Sequence, residues 1–492
     1  MLIKCFAALA FVLAAGLSCI AEAARPNILW IIVDDMSANF GCYGEKAIET
    51  PHVDRLAREG TLFSKAFVTA PVCSPCRSAL ITGCYQTTIG AHHHRSGRGE
   101  LKINLPEGIE PIPAIFQRAG YYTCIGGFGS DRNRPGKTDY NFEYEPAIYD
   151  GPDWSGRQPG QPFFMQVQLH GGKYRGAQPK QYNAWAKRVF QELGSNVATS
   201  AVILPPYYPS DPVLLEDWAR YLDAVGYTDH EVGQVLARLE QEGILDETIV
   251  CFMTDHGISH ARGKQFLYDE GIHVPLVIRG PGIEAGKVRS DLVEHIDLAA
   301  MSLALAGIAI PTRMQARNVL AKDYQPRDVV FAARDRCDET VEHIRSVRTN
   351  RYKYIRNYLN QRPHLQPNAY KDGKQIVQRL RELHAEDKLN ELQERLLFAP
   401  TRPAEELYEL ESDPQELVNL AGNPQHQAEL QNLREKLSAW ESETSDQGRE
   451  PEPAAMYDSD MAVYIGGRSR RQPPTETERN IELMKRWAAE GK

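Results

Sequence analysis

Asn27-Ile28-Leu29-Trp30-Ile31-Ile32-Val33 is a short, nearly unbroken apolar run that stops at two adjacent carboxylates, Asp34-Asp35. Its length, its β-branched content and the absence of a helical period predict a buried strand. A second such run, Thr248-Ile249-Val250-Cys251-Phe252-Met253, ends at Thr254-Asp255-His256-Gly257, and a third, Pro162 to Leu169, ends at His170. Adjacent aspartates after one strand ordinarily cap a helix. Their recurrence at a second strand end points instead to one site at the carboxyl edge of a parallel sheet, where α/β folds gather their ligands.

Outward from these strands, Leu214 to Glu242 carries a stripe of Trp218, Tyr221, Leu222, Val225, Val232, Val235 and Leu239 at helical spacing, and the alternation of strand and helix predicts an α/β sandwich. From about Ala332 the texture changes. Arg351 to Arg356 alternates as an aromatic-faced strand, charged helical sequence follows from Gln375 to Leu397, and then comes Glu406 to Pro414. This predicts an N-terminal α/β domain at 24–331, a smaller C-terminal α+β domain at 332–446 and a tail at 447–492 whose Arg, Pro, Glu and Ser content reads as loosely wrapped or mobile. Met1 to Ala23 has Lys4, an apolar core and Ala21-Glu22-Ala23, which reads as a secretory signal with the mature start near Ala24 and a secreted or periplasmic destination.

A chain of 492 residues with 42% hydrophobic and 25% charged content is that of a globular protein with more than one domain. Its net charge of -9 argues against nucleic acid as a partner, and no segment predicts stable membrane insertion. Seven cysteines follow the signal, Cys42, Cys73, Cys76, Cys84, Cys124, Cys251 and Cys337, without disulfide-framework or zinc spacing.

Cys73-Ser74-Pro75-Cys76-Arg77, followed by Ser78-Ala79-Leu80-Ile81-Thr82-Gly83, resembles the maturation signature of the type I, formylglycine-dependent sulfatases of the alkaline phosphatase superfamily. The resemblance extends in order through Asn27 to Gly44, Thr50 to Gly90, Gly120 to Phe142, Phe163 to His170, Asp223 to Gly282 and Arg345 to Asn423, and is nearest to the heparan N-sulfatase-like glycan sulfatases. It implies an alkaline phosphatase-like sandwich with a central mixed, mostly parallel sheet. It also implies that a sulfatase-maturing (formylglycine-generating) enzyme reads Pro75 and Arg77 and oxidises Cys73 to formylglycine. Cys76 departs from the small residue usual at that place.

By the same resemblance, Asp34, Asp35, Asp255, His256 and the residue-73 oxygen hold calcium. The imidazole of His256 leaves magnesium or manganese as alternatives. Arg77 holds the aldehyde hydrate and the carboxylates, Lys137 and Lys264 bind the sulfate, and His170 protonates the leaving oxygen. One hydrate hydroxyl attacks sulfur, the alcohol leaves, and loss of the second hydroxyl proton expels inorganic sulfate.

The family commonly reads Gly-Lys-x-His around Lys137, and Asp139 stands here in place of the histidine, after an insertion at Phe128 to Pro135. Either Asp139 acts as the base, or His92, His93 or His94 supplies the imidazole. Tyr140, Arg334, Asp335, Arg336 and Asp338 are candidates for a subsite that reads a sugar, with a surface salt-bridge cluster as the other reading. The implied function is hydrolysis of sulfate esters on an extracellular sulfated glycan. Alternatives are N-sulfoglucosamine sulfohydrolase activity, a metal-dependent phosphodiesterase or phosphonate hydrolase, and a non-catalytic sulfated-glycan binder.

Overall fold

The computed structural model describes residues 25–127, 135–468 and 476–492. The expected signal sequence, the expected start near Ala24 and the expected insertion from Phe128 up to 134 lie outside the described residues.

Strands β1 (Asn27–Val33), β2 (Thr61–Phe67), β3 (Tyr122–Gly127), β4 (Phe163–Leu169), β5 (Thr248–Thr254), β6 (His273–Arg279), β7 (Lys287–Arg289) and β8 (Val293–Glu294) form one sheet in the order β3-β4-β1-β5-β6-β2-β7, with β8 beside β2. Pairings are parallel except those of β6 with β5 and β2. Every residue of β1 and β5 is buried, which is why neither alternates in sequence. Val33 lies opposite both Leu169 and Thr254, so Asp34, His170 and Asp255 leave the sheet at one level.

The predicted long helix is Pro212–Gln241; Asp211 caps it by accepting from the Val213 amide at 2.9 Å, and Pro212 opens its first turn. Helix Cys73–Thr82 is buried along its whole length and stops at Gly83, whose φ of 64° an L side chain would strain. Among the described residues no helix is long and apolar enough to cross a membrane. Among the described residues all seven cysteines are free thiols, six of them buried.

A second, antiparallel sheet, β12-β11-β10-β9, is built from β9 (Val330–Arg334), β10 (Ile344–Arg348), β11 (Tyr352–Asn357) and β12 (Glu405–Glu409). Helix Gln427–Glu443 covers it through Leu430, Leu433, Leu437 and Trp440. The charged helix expected from Gln375 to Leu397 is two pieces. Gln375–Ala385 ends before Asp387, whose φ is 53°, and a new turn starts at Asn390 with a capping box.

The described parts of the tail are helical and packed, contrary to the reading of its composition. Helices Ala454–Arg468 and Glu476–Ala489 bury Tyr457, Met461, Ile481 and Met484 against each other, pairs spaced to share a helix face. Arg336, just after β9, holds the tail through both oxygens of Glu452, at 2.7 and 2.8 Å, and Asp460 at 2.7 Å. Arg336→Ala leaves two carboxylates without this partner and is expected to lower unfolding free energy by about 3–5 kcal/mol, read by urea denaturation. A loss below about 1 kcal/mol would show that the tail contributes little to the fold.

Candidate active site

Cys73 is the first residue of its helix, and Pro75 sits in the first turn, where a missing amide donor is harmless. Its Sγ lies 3.1 Å from His256 Nε2, 3.3 Å from Lys264 Nζ, and 3.8 Å from both Lys173 Nζ and Asp35 Oδ1. Burial on its own would raise the thiol, yet Lys137, Lys173, Lys264 and His256 together hold it well below its usual range.

The two predicted strand ends close on this sulfur. Asp35 adopts φ 54°, a left-handed turn that aspartate tolerates, and its amide donates to Asp255 Oδ1 at 3.1 Å, tying β1 to β5. Arg77 bridges Asp34 and Asp255, the latter at 3.1 Å, and also reaches Gln168. Lys264 sits 3.0 Å from Asp35 Oδ1, and the Tyr370 hydroxyl donates to Asp35 Oδ2 at 3.1 Å. Burial opposes ionisation of Asp34 and Asp35, but Lys173, Arg77 and Lys137 on the first and Lys264, Lys173 and His256 on the second keep both carboxyls well below the ordinary range.

The donor set suits a divalent cation. Cys73 Sγ, Asp35 Oδ1 and Asp255 Oδ1 lie 3.1, 3.2 and 3.4 Å from His256 Nε2, the spacing of neighbours in one coordination shell. These converging anions create a demand for positive charge at that point: His256 is pushed up to about 10, against its burial, by Asp255 and Cys73. The two carboxylate oxygens of this set, with a third carboxylate, Asp34, tied to Asp255 through Arg77, fit magnesium, calcium or manganese better than a thiophilic metal.

Cys73, Arg77, Asp34, Asp35, Asp255, His256, Lys264 and Lys137 are thus brought together; Lys137 Nζ is 3.5 Å from Asp34 and 3.0 Å from Asp139. Asp139, at φ 57°, also pairs with Arg98. Although burial opposes it, Lys137, His94 and Arg98 hold its carboxyl below the usual range, which makes it a weak base. Of the three histidines, His94 alone reaches the neighbour of the nucleophile, with Nδ1 2.9 Å from Ser74 Oγ. His93 Nδ1 accepts from the Arg336 amide at 3.2 Å, and the His92 ring lies against His93. His170 is not drawn onto Cys73; it is exposed, with its ring on Tyr174.

The subsite expectation needs correction at several positions. Arg336 is buried and saturated by Glu452, Asp460 and two carbonyls. Asp335 is buried against Arg345 at 3.2 Å, and Arg334 is buried over the Phe266 ring, 3.5 Å from Gln265 Oε1. All three are buried, which fits neither an open sugar subsite nor a surface cluster. Tyr140 is also buried, its hydroxyl 2.6 Å from that of Tyr149 and its ring stacked on Phe142.

The sequence reading missed Lys173, Tyr370 and Gln168. Lys173 contacts Asp34 and lies 3.6 Å from Asp35 because Gly171 and Gly172 let the turn after β4 press onto β1; a Cβ at those positions would sit 2.3 and 2.1 Å from the Asp34 and Asp35 carbonyl oxygens. Two glycines directly after a site-edge strand are the sequence signal for this close approach.

A family model described as Sulfatase matches residues 26–308, and one described as N-sulphoglucosamine sulphohydrolase, C-terminal, matches residues 256–400. The chain is 32% identical over 489 residues to an ulvan-active sulfatase of Formosa agariphila, covering 92% of this chain and 79% of the relative. It is 27% identical to the N-sulphoglucosamine sulphohydrolase of Homo sapiens, covering 86% of this chain and 91% of that one. A solved structure in complex with its substrate D-glucosamine-2-N,6-O-disulfate superposes with a TM-score of 0.61 at 19% identity, covering 87% of this chain and 100% of the other, a likeness of fold. The expected alkaline phosphatase-like sandwich is the fold observed, and this chain belongs to the sulfatase family.

Proposed function

We propose that this sulfatase removes sulfate from a sulfated glycan, using Cys73 converted to formylglycine as its nucleophile. The observation that carries this reading is the convergence of Lys264, Lys173 and His256 on the buried Cys73 Sγ at 3.1 to 3.8 Å, with Lys137 in the same cluster. Several cations around one nucleophile fit a group that gathers negative charge in its transition state. Sulfated glycans as the substrate class are supported by the ulvan-active relative and by the disulfated glucosamine bound in a structure of the same fold. A cavity of about 510 Å³ beside Lys137 and Asp139, lined also by Arg98 and Lys102, offers room for a sugar.

A hydroxyl of the aldehyde hydrate takes the place of Sγ and attacks sulfur as the sulfur–oxygen bond to the sugar breaks. Lys264 lies 3.3 Å from that position and orients it, and Arg77 fixes the carboxylates behind it. Lys137 and Lys173, each about one-third exposed, face the incoming sulfate oxygens. His170, on the exposed side of the Lys173 turn, protonates the leaving oxygen. His94, which reaches Ser74 next to the nucleophile and is not one of the metal ligands, takes the place of the family histidine in the proton transfer that expels sulfate. Asp34, Asp35, Asp255, His256 and the residue-73 oxygen would hold the divalent metal, calcium in this reading with magnesium or manganese as alternatives, and it would supply positive charge to offset the negative charge that develops in the transition state.

The match to the N-sulphoglucosamine sulphohydrolase C-terminal model favours a second reading, cleavage of an N-sulfate at the same site. Maturation requires a formylglycine-generating enzyme as partner, and the signal-like start supports a secreted or periplasmic location. Sulfate release measured on ulvan-derived and heparan-derived oligosaccharides tests the function; absence of release from every sulfated glycan, by protein with a confirmed aldehyde, overturns it. Removal of divalent metal with EDTA is expected to lower release at least about tenfold, restored by calcium, magnesium or manganese. Full activity after verified metal removal would contradict the metal assignment.

A further inference from the structure

We propose that Arg95 recognises a second anionic group of the substrate, a carboxylate or further sulfate carried by the glycan close to the sulfate that is released. This rests on the sulfated-glycan reading and adds a specificity determinant to it.

The other cations around the site are already engaged. Arg77 is held by Asp34 and Asp255, Arg98 by Asp139, Lys137 by Asp34 and Asp139, Lys264 by Asp35, and Arg336 by Glu452 and Asp460. Among the described residues, Arg95 has neither an ion pair nor a hydrogen bond to its guanidinium, and its Nε is buried without a partner. A structural arginine in this protein looks different: Arg336 and Arg345 each spend their forks on two carboxylates.

Arg95 is also fixed beside the nucleophile. Its amide donates to Ser74 Oγ at 2.8 Å, one residue after Cys73, and its own φ is 55°. The preceding His94 is pinned by its amide on the Arg336 carbonyl at 2.8 Å and by its ring on the same Ser74 oxygen. The guanidinium lies within electrostatic reach of Tyr464, Asp338, Asp139 and Cys73. Neither acid pairs with it: Asp338 Oδ1 accepts from the Tyr464 hydroxyl at 2.7 Å, and Asp139 faces Lys137 and Arg98. A half-buried, pre-positioned fork with its donors unspent is the chemistry that reads a planar carboxylate or a sulfate through paired hydrogen bonds. The charged recognition that the sequence placed at Arg334 to Arg336 moves to a residue next to the catalytic helix.

The test uses three substrates with the matured enzyme: a monosulfated disaccharide containing a uronic acid, its carboxyl-reduced counterpart, and a disulfated disaccharide of neutral sugars. Wild type is expected to favour one or both anionic substrates over the reduced one by about tenfold or more in kcat/KM, mostly through KM. Arg95→Ala is expected to abolish that ratio, and Arg95→Lys, which keeps charge without the fork, to restore it in part. A preference for the uronate identifies a carboxylate ligand, and one for the disulfate a second sulfate. Equal efficiency on all three in wild type, or a ratio unchanged in Arg95→Ala at unchanged Tm, overturns the assignment while leaving the sulfatase reading standing. No sulfate release from any of the three by aldehyde-bearing enzyme overturns both.

Discussion

Cys73→Ala is expected to eliminate sulfate release, a fall of at least about 10⁴-fold in kcat, because it removes the atom on which Lys173, Lys264 and His256 converge. Cys73→Ser separates a nucleophilic role from a merely structural one. A serine hydroxyl can attack sulfur, but it has no second hydroxyl whose deprotonation expels sulfate, so the product is a stable ester. The serine variant is therefore expected either to carry one sulfate per chain by intact-mass analysis after incubation with substrate or to remain inactive. Turnover at the wild-type rate in that variant would sink the mechanism. Both substitutions are close in volume to the thiol they replace, so Tm should stay near the wild-type value, and a large drop would assign the loss to folding.

Arg77→Ala is expected to damage fold and activity together. The guanidinium is buried and spans Asp34 and Asp255, the residues that leave β1 and β5 side by side. Its removal strands two buried carboxylates, which costs about 3–5 kcal/mol of stability. Misplacing the same carboxylates is expected to lower kcat/KM by at least about 10³-fold. Arg77→Lys keeps one positive charge but has a single contact point for two acids, so it should recover stability better than activity. Urea denaturation and steady-state kinetics on one preparation check both effects. An alanine variant as stable as wild type would mean that Arg77 does not hold the strand ends together.

The catalytic half of the fold was legible because β1 and β5 are buried on both faces and appear as short apolar runs, and because each ends in acid. Parallel register then places Asp34 and Asp255 at one edge without further assumptions. The basic residues were harder to read. Lys173 depends on a close approach of two backbones that only Gly171 and Gly172 permit, and Tyr370 arrives from a short helix, Ala369–Asp372, far along the chain. Charged runs mislead in the other direction. Arg334-Asp335-Arg336 read as a sugar subsite or a surface salt-bridge cluster, yet all three are buried, Asp335 against Arg345, which Asp446 also holds, and Arg336 against Glu452 and Asp460. The tail reads as mobile for the same reason: its apolar residues are few, but Tyr457, Met461, Ile481 and Met484 meet across two helices, and its acids neutralise a buried arginine.

Peptide mass spectrometry across Cys73, on protein purified from a host with sulfatase-maturing activity, tests the central claim most directly. The account predicts an aldehyde at residue 73 and an unmodified thiol at Cys76, since Cys73 alone has proline and arginine at the distances the maturing enzyme reads. An intact thiol at Cys73 in such a host would contradict it.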